Sequence, residues 1–347
     1  MSESASSVEL SNQATAAANQ LLRIDQLTVH INTPHGVVQA LRGIDLQLRA
    51  GEALALVGES GSGKSITALS ISGLLPESAA MVGGDIFFAQ QRVNEFDQRA
   101  WNKLRGSRIG MVFQNPMSSF NPSMRVGDQI AEVLRAHRDL SKTAARLRSV
   151  QLLERMRIAD AAARAHQYPF EFSGGMLQRA MIAMAVACEP QLLIADEPTT
   201  ALDVTVQAEV LDLLRELRRD SGMALLLITH DLGIVAQIAD RVAVMYAGQI
   251  IEQGPVGALL HAPAHPYTAA LQAAAPTIAQ DFLQAIPGTP PDLTNPPSGC
   301  GFYARCKHAM RICMDGAVPN FELNAQHASR CWLLHPQCKN SEPSVDV

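Results

Sequence analysis

Gly58-Glu59-Ser60-Gly61-Ser62-Gly63-Lys64-Ser65 is the stretch that decides the fold of this 347-residue chain. Residues 53–57 before it form an apolar run typical of a strand, and residues 65–75 after it space their apolar side chains as a helix does. The stretch fits the pattern G-x-x-x-x-G-K-S/T, which between a strand and a helix predicts a phosphate-binding loop. A glycine-rich turn that happens to precede Lys-Ser is the alternative.

Each residue type in this loop has a physical reason for its place. Glycines let backbone N–H groups curl around phosphate oxygens, and the N-terminus of the following helix attracts an anion. Lys64 would reach the β- and γ-phosphates, while Ser65 would hold magnesium. The residues predicted to bind a nucleotide here are Gly58, Ser60, Gly61, Ser62, Gly63, Lys64 and Ser65.

A second apolar run, Leu192-Leu-Ile-Ala-Asp196-Glu197, ends in two carboxylates. This arrangement places Asp196 in the magnesium shell and Glu197 beside the attacking water as general base. Two adjacent acids can also form a solvated turn. The two elements together admit many nucleotide enzymes, including kinases, GTPases and helicases.

The remaining periodicity predicts an α/β fold with a mainly parallel core sheet covered by helices. An antiparallel pair is predicted near the N-terminus, and a helical insertion precedes the acid-ended strand. The ranges are 22–31 and 37–48 for the pair, 126–168 for the insertion, 192–195, 224–229 and 242–246 for buried strands, and 204–219 and 232–238 for the helices between them.

Composition limits the classes of partner. The formal net charge is -5, so there is no excess of basic residues for nucleic acid. We find neither a secretory signal nor an apolar run of the roughly 20 residues that a membrane-spanning helix needs. If this protein works at a membrane, other chains are expected to cross it.

A third motif narrows the choice of enzyme. Phe172-Ser173-Gly174-Gly175-Met176-Leu177-Gln178-Arg179 lies just upstream of the acid-ended strand, and it resembles the signature loop of the ABC ATPase superfamily. The resemblance implies ATP and magnesium as cofactors. It also implies a glutamine loop at Gln114, which touches magnesium and takes part in catalysis, a dimer-seam loop at 201–203 with Asp203, and a switch histidine at His230.

The same resemblance implies two ATPase subunits that face each other head to tail. Ser173, Gly174 and Gly175 of one subunit would contact the ATP held by the other, and residues 115–122 would lie near the contact with a membrane partner. The superfamily often stacks adenine on an aromatic residue, but residues 35–40 offer only Val38 near the expected place, with His35 as a weak substitute.

Longer stretches are similar to the oligopeptide and dipeptide importer ATPases. The markers are residues 113–122, residues 195–204, His265-Pro266-Tyr267-Thr268, and a tail that runs from Ile286-Pro-Gly to Arg305-Cys306. The resemblance implies an ATPase on the cytoplasmic face of the membrane, bound peripherally. Its expected partners are a second ATPase, which in this family is usually a different chain, two permeases and an external peptide-binding protein.

Several rival functions stay open at this stage. The same subunit type serves nickel and antimicrobial-peptide transport, so cargo is inferred from family likeness alone. ABC ATPases of DNA repair or translation usually carry a long coiled-coil insertion or tandem ATPase domains, which are not visible here. A stand-alone P-loop kinase would not need the signature loop or His230.

Five of the six cysteines lie at or after residue 300. Gaps of five, six and seventeen residues between the first four match neither common zinc patterns nor ferredoxin runs, so spacing leaves iron–sulfur, zinc and plain thiols open. The importer resemblance implies a 4Fe–4S cluster on Cys300, Cys306, Cys313 and Cys331, with Cys188 and Cys338 as non-ligands.

The expected organisation has three parts. Residues 1–20 form a flexible N-terminal segment, and residues 21–260 form a P-loop ABC ATPase domain with an antiparallel β subdomain and a helical subdomain at about 123–180. Residues 261–347 form the extension typical of peptide importers, which we expect to be a small cysteine-rich module energetically separate from the core.

Overall fold

A computed structural model describes residues 19–200, 202–274 and 285–338. The chain forms two compact units, each assembled from separate segments. The first holds the described residues up to Ile24 together with Leu46–Ala53 and Asp85–Leu227. The second holds Asp25–Asp45, Leu54–Gly84 and the described residues from Ile228 onward.

The strands of the described ranges are short except for the first two. They are β1 (Gln20–Thr33), β2 (Gly36–Arg49), β3 (Ala53–Val57), β4 (Ala79–Phe88), β5 (Gln91–Arg92), β6 (Ile109–Val112), β7 (Leu192–Asp196), β8 (Ala224–Thr229), β9 (Arg241–Tyr246), β10 (Gln249–Pro255), β11 (Phe321–Asn324) and β12 (His327–Ser329).

The helices of the same ranges fill the intervals between these strands. They are α1 (Lys64–Ser72), α2 (Gln98–Leu104), α3 (Pro116–Ser119), α4 (Val126–His137), α5 (Lys142–Arg155), α6 (Ala161–Arg164), α7 (Gly174–Ala185), α8 (Val204–Ser221), α9 (Leu232–Ile238), α10 (Val256–His261) and α11 (Pro266–Ala273).

The predicted N-terminal strand pair is confirmed. β1 and β2 are neighbours in a sheet with the order β2-β1-β4-β5. A turn of two residues joins them, so they run antiparallel. The next strands are paired as predicted for the core: β6 lies parallel to β7 in the first unit, and β3 lies parallel to β9 in the second.

Complete burial explains why the parallel strands read as unbroken apolar runs. Every residue of β3, β7 and β8 is buried. Parallel strands covered on both faces lose the alternation of apolar and polar residues that marks a half-exposed strand. The apolar runs predicted at 53–57 and 224–229 have the same bounds as β3 and β8.

Local signals set the ends of the helices. α1 stops at Ser72, short of the predicted 75, because Gly73 takes the left-handed conformation (φ 63°) and caps it. Asp203 starts α8 by accepting a hydrogen bond from the Val206 N–H at 3.0 Å. The predicted insertion at 126–168 is helical as expected, and it is divided into α4, α5 and α6.

The C-terminal extension does not form the separate cysteine-rich module that the sequence led us to expect. β12 pairs antiparallel with β10, so the second unit has the strand order β11-β12-β10-β9-β3. Phe302 packs between Tyr246 and Tyr267, with ring centroids 5.4 and 5.3 Å away. The extension has few apolar residues of its own, and it buries them in the core formed around β3 and β9.

A buried carboxylate fastens this extension to β10. The Glu252 side chain is fully buried and accepts hydrogen bonds from the N–H groups of Ala264 (2.8 Å) and His265 (2.9 Å). His327 Nε2 lies 2.8 Å from the same carboxylate. A buried carboxyl group is tolerated when its oxygens have hydrogen-bond partners in this way.

The helices of the described ranges include none with both the length and the apolar character needed to cross a bilayer.

Candidate nucleotide-binding site

Glycine is required at two positions of the phosphate-loop stretch. Gly58 has φ 155° and Gly63 has φ 108°. A Cβ added at Gly58 would lie 2.2 Å from the Met245 carbonyl oxygen, and one at Gly63 would lie 2.8 Å from a Leu41 methyl carbon. The loop is therefore pressed against neighbouring strands, and its backbone curls as an anion-binding loop must.

Lys64 folds back over the loop that precedes it. Its ammonium group donates to the carbonyl oxygens of Gly58 (2.7 Å) and Glu59 (2.9 Å), and the side chain is buried. Gly63 caps the N-terminus of α1, while Ser60, Gly61 and Ser65 are exposed. The loop thus presents exposed hydroxyls and a helix N-terminus to solvent, with the Lys64 ammonium hydrogen-bonded to two of its carbonyl oxygens.

The predicted general base lies where β7 ends. Asp196 is the last residue of the strand and is buried, and Glu197 follows in the left-handed region (φ 47°). A non-glycine residue in that region costs about 1–3 kcal/mol and is found preferentially at functional sites. The left-handed conformation of Glu197 ends the extended backbone of β7.

Two side chains orient the Glu197 carboxylate within the first unit. The Gln114 Nε2 donates to Glu197 Oε2 at 2.9 Å, and the Thr200 hydroxyl donates to the same oxygen at 2.9 Å. The structure therefore brings together Gln114 and Glu197, both of which were predicted from the sequence. Thr200 was missed, although it lies in a stretch that the importer resemblance had already marked.

The signature loop begins α7. The Ser173 Oγ accepts a hydrogen bond from the Met176 N–H at 3.3 Å, which leaves the hydroxyl proton of Ser173 available for donation. A Cβ at Gly175 would lie 2.6 Å from a Val206 methyl carbon, whereas a Cβ at Gly174 would meet nothing within 4 Å. Glycine at 175 is thus required by packing, and glycine at 174 leaves an open surface.

The remaining predicted positions lie before helices and at the β1–β2 turn. Asp203 is the N-cap of α8; Ala201, in the same predicted loop, lies outside the described residues. His230 is exposed in the bend between β8 and α9, within the second unit. His35 is exposed at the β1–β2 turn and Val38 is half-buried, and residues 35–40 contain no aromatic ring other than that of His35.

The four predicted cluster ligands, Cys300, Cys306, Cys313 and Cys331, line one cavity in the second unit. All are free thiols. Burial raises the pKa of Cys300 to about 11 and that of Cys331 to about 12. Among the described residues, no group of three or more His, Cys, Asp or Glu side chains is arranged to hold a metal ion.

Comparison with known families gives two matches. A family model described as "ABC transporter" matches residues 41–200, and one described as "Oligopeptide/dipeptide transporter, C-terminal region" matches residues 251–313. These matches cover both the nucleotide-site motifs through Thr200 and three of the four cavity cysteines.

Similar proteins extend the likeness over nearly the whole chain. The oligopeptide transport ATP-binding protein OppD of Bacillus subtilis is 49% identical over 332 residues, which are 94% of this chain and 93% of that one. The dipeptide transport ATP-binding protein DppD of Lactococcus lactis is 44% identical over 334 residues, 95% and 96% of the two chains. Among solved structures, the dimeric post-hydrolysis state of the ATP-binding cassette MJ0796 with ADP and Pi has a TM-score of 0.62 at 25% identity, covering 68% of this chain and 99% of that one.

Proposed function

This chain belongs to the ABC transporter family, within the group of oligopeptide and dipeptide transport ATP-binding proteins, and from that premise we propose that it hydrolyses ATP to power peptide import. The observation that carries the proposal is that one chain matches both the ABC transporter family and the C-terminal region of oligopeptide and dipeptide transporters. The named relatives act in oligopeptide and dipeptide transport.

The proposed hydrolysis assigns one task to each side chain. Lys64 and the loop N–H groups would bind the phosphates, and Ser65, Gln114 and Asp196 would hold magnesium, which would neutralise charge on the phosphate oxygens. Glu197 accepts a proton from the attacking water. The hydrogen bonds from Gln114 and Thr200 support this role because they fix the direction of the Glu197 carboxylate. His230 would sense the γ-phosphate.

We further propose that a second ATPase subunit completes each site. Ser173, Gly174, Gly175 and Asp203 would act on the ATP held by the partner. Two observations support this arrangement: within the described residues the Ser173 hydroxyl only accepts a hydrogen bond, and the surface at Gly174 is open. The similar cassette MJ0796 is described as a dimer. A pair that closes on ATP and opens after hydrolysis would supply the motion that the permeases use.

This arrangement predicts that activity depends on a partner. The isolated chain, at concentrations where it is monomeric, should hydrolyse ATP about a hundredfold more slowly than the assembled transporter, because donors to the γ-phosphate are missing. Phosphate release from the two preparations measures the difference. Equal rates would contradict the proposed dimer, and Ser173→Ala in the assembled complex should lower turnover at the partner's site.

Purification from membranes tests the functional assignment. We expect two permeases, a second ATPase and an external peptide-binding protein to accompany this chain, which would place it peripherally on the cytoplasmic face. Co-purification with ribosomes or DNA would overturn the assignment. A nickel-binding or antimicrobial-peptide system among the partners would retain the ATPase and change the cargo.

The cysteine cavity supports a second proposal, that Cys300, Cys306, Cys313 and Cys331 hold a 4Fe–4S cluster. The support is that all four thiols line one cavity, since four cysteine thiolates are what holds a 4Fe–4S cluster. Because thiols with a raised pKa carry their protons at neutral pH, loading would release protons. We assign the cluster a structural role, with no redox step in hydrolysis.

Anaerobic preparation should therefore give brown protein with about four iron and four sulfide per chain. Cys306→Ser should remove the colour and most of the iron, whereas the matched variant Cys338→Ser, outside the ligand set, should retain both. Metal and sulfide analysis checks the result. Zinc without iron, or colourless protein from anaerobic cells, would contradict the cluster.

A further inference from the structure

Glu59, the second residue of the phosphate loop, is held by side chains that follow the ATPase motifs in the chain. The guanidinium of Arg305 grips its carboxylate with two hydrogen bonds, Nη1 to Oε2 at 2.6 Å and Nη2 to Oε1 at 2.9 Å. The Tyr267 hydroxyl accepts the Glu59 N–H at 2.8 Å. The loop is thus fixed through both its backbone and its side chain by the C-terminal extension.

Arg305 is itself firmly placed. Its side chain is 3% exposed, and Nε donates to the Pro287 carbonyl oxygen at 2.8 Å. Further hydrogen bonds run from Nη1 to the Tyr246 hydroxyl (3.1 Å) and from Nη2 to the Ile286 carbonyl oxygen (3.2 Å). The hydrogen bonds with Glu59 raise the pKa of Arg305 above its ordinary value, so the guanidinium is charged at any physiological pH. The bidentate pair and the other hydrogen bonds of the guanidinium hold the Arg305 side chain in one position.

The residue fixed in this way also supplies an acceptor for the loop lysine. The Glu59 carbonyl oxygen accepts a hydrogen bond from Lys64 Nζ at 2.9 Å and another from the Ser62 N–H at 3.2 Å. A displacement of Glu59 would therefore move an acceptor of the ammonium that binds phosphate. Glycine-rich backbone has many alternative conformations, and a clamp that removes them before the ligand arrives strengthens binding.

We propose that Arg305 is a positioning residue for nucleotide binding: through Glu59, it holds the phosphate loop in its ATP-binding conformation. The proposal rests on the proposed ATPase function, because ATP is the ligand concerned. It makes the extension part of the nucleotide site and replaces the expectation of an energetically separate tail. We assign Arg305 no role in the chemical step of hydrolysis.

The test measures ATP affinity of the full chain with a fluorescent ATP analogue. Arg305→Met and Glu59→Gln should each weaken binding about tenfold, and the double variant should be no weaker than either alone, because both changes break the same pair. In the assembled transporter the KM for ATP should rise while kcat stays within about twofold, since the clamp acts on binding. Arg305→Lys should restore part of the affinity through a single hydrogen bond.

Two controls separate positioning from folding. Lys307→Met removes an exposed cation two residues away and should leave affinity unchanged. Thermal unfolding followed by circular dichroism identifies folded variants, and Glu59→Gln serves alone if Arg305→Met does not fold. Wild-type affinity in folded Arg305→Met, or in folded Glu59→Gln where Arg305→Met does not fold, would overturn the positioning role alone. Failure of the wild-type chain to bind ATP would overturn both this role and the proposed function.

Discussion

Glu197→Gln is expected to lower ATP turnover by at least about a hundredfold while ATP affinity is kept, because an amide cannot accept the proton of the attacking water. The amide has the size of the carboxylate, and its oxygen can still accept from Gln114 or Thr200, which lie 2.9 Å from Glu197 Oε2. ATP-bound dimer should accumulate. Phosphate release gives the turnover, and gel filtration with ATP gives the oligomeric state.

A matched carboxylate on α8 provides the control. Glu209 is exposed and pairs with Arg179 at 3.2 Å on the surface of the first unit. Glu209→Gln removes the same charge without touching the proposed base, and turnover should stay near that of the wild type. Wild-type turnover in Glu197→Gln would show that the base is misassigned.

Lys64→Ala is expected to weaken ATP binding by about 10- to 100-fold, the usual range for losing hydrogen bonds from a charged group to a ligand. The ammonium lies over the loop, where it donates to the Gly58 and Glu59 carbonyl oxygens before any phosphate is present. Lys64→Ala should thus lower ATP affinity, whereas Glu197→Gln should lower turnover. Equilibrium binding of an ATP analogue measures it.

Lys103 serves as the comparison, because it is an exposed lysine on α2 outside the predicted site. Lys103→Ala should bind ATP like the wild type. If Lys64→Ala also did, the phosphate-loop assignment would be wrong, and the resemblance of this stretch to a nucleotide site would be a coincidence of sequence.

Local sequence was sufficient for the parts of the fold that local physics determines. The apolar run 53–57 forms β3 with the predicted bounds, because a strand buried on both faces is apolar along its whole length. Gly73 ends α1 through its positive φ, and the predicted helical range 65–75 ran past this glycine although its residue type signals a helix end. The glycines of the phosphate loop were predicted from the motif that contains them.

Contacts between distant residues were not predictable from one sequence. His327 meets Glu252 across 75 positions, and Arg305 meets Glu59 across 246. A histidine and an arginine in a proline-rich, cysteine-bearing tail give no sign of their partners. Because these contacts could not be inferred from the sequence, the tail was wrongly expected to be a separate module.

The most direct measurement is ATP-dependent peptide uptake by vesicles that contain the purified transporter and its peptide-binding protein. We predict that vesicles with the wild-type chain accumulate labelled peptide when ATP is supplied on the side of this subunit. Vesicles with Glu197→Gln should accumulate none. Equal uptake by the variant, or uptake of nickel in place of peptide by the wild-type complex, would contradict an ATPase that powers peptide import.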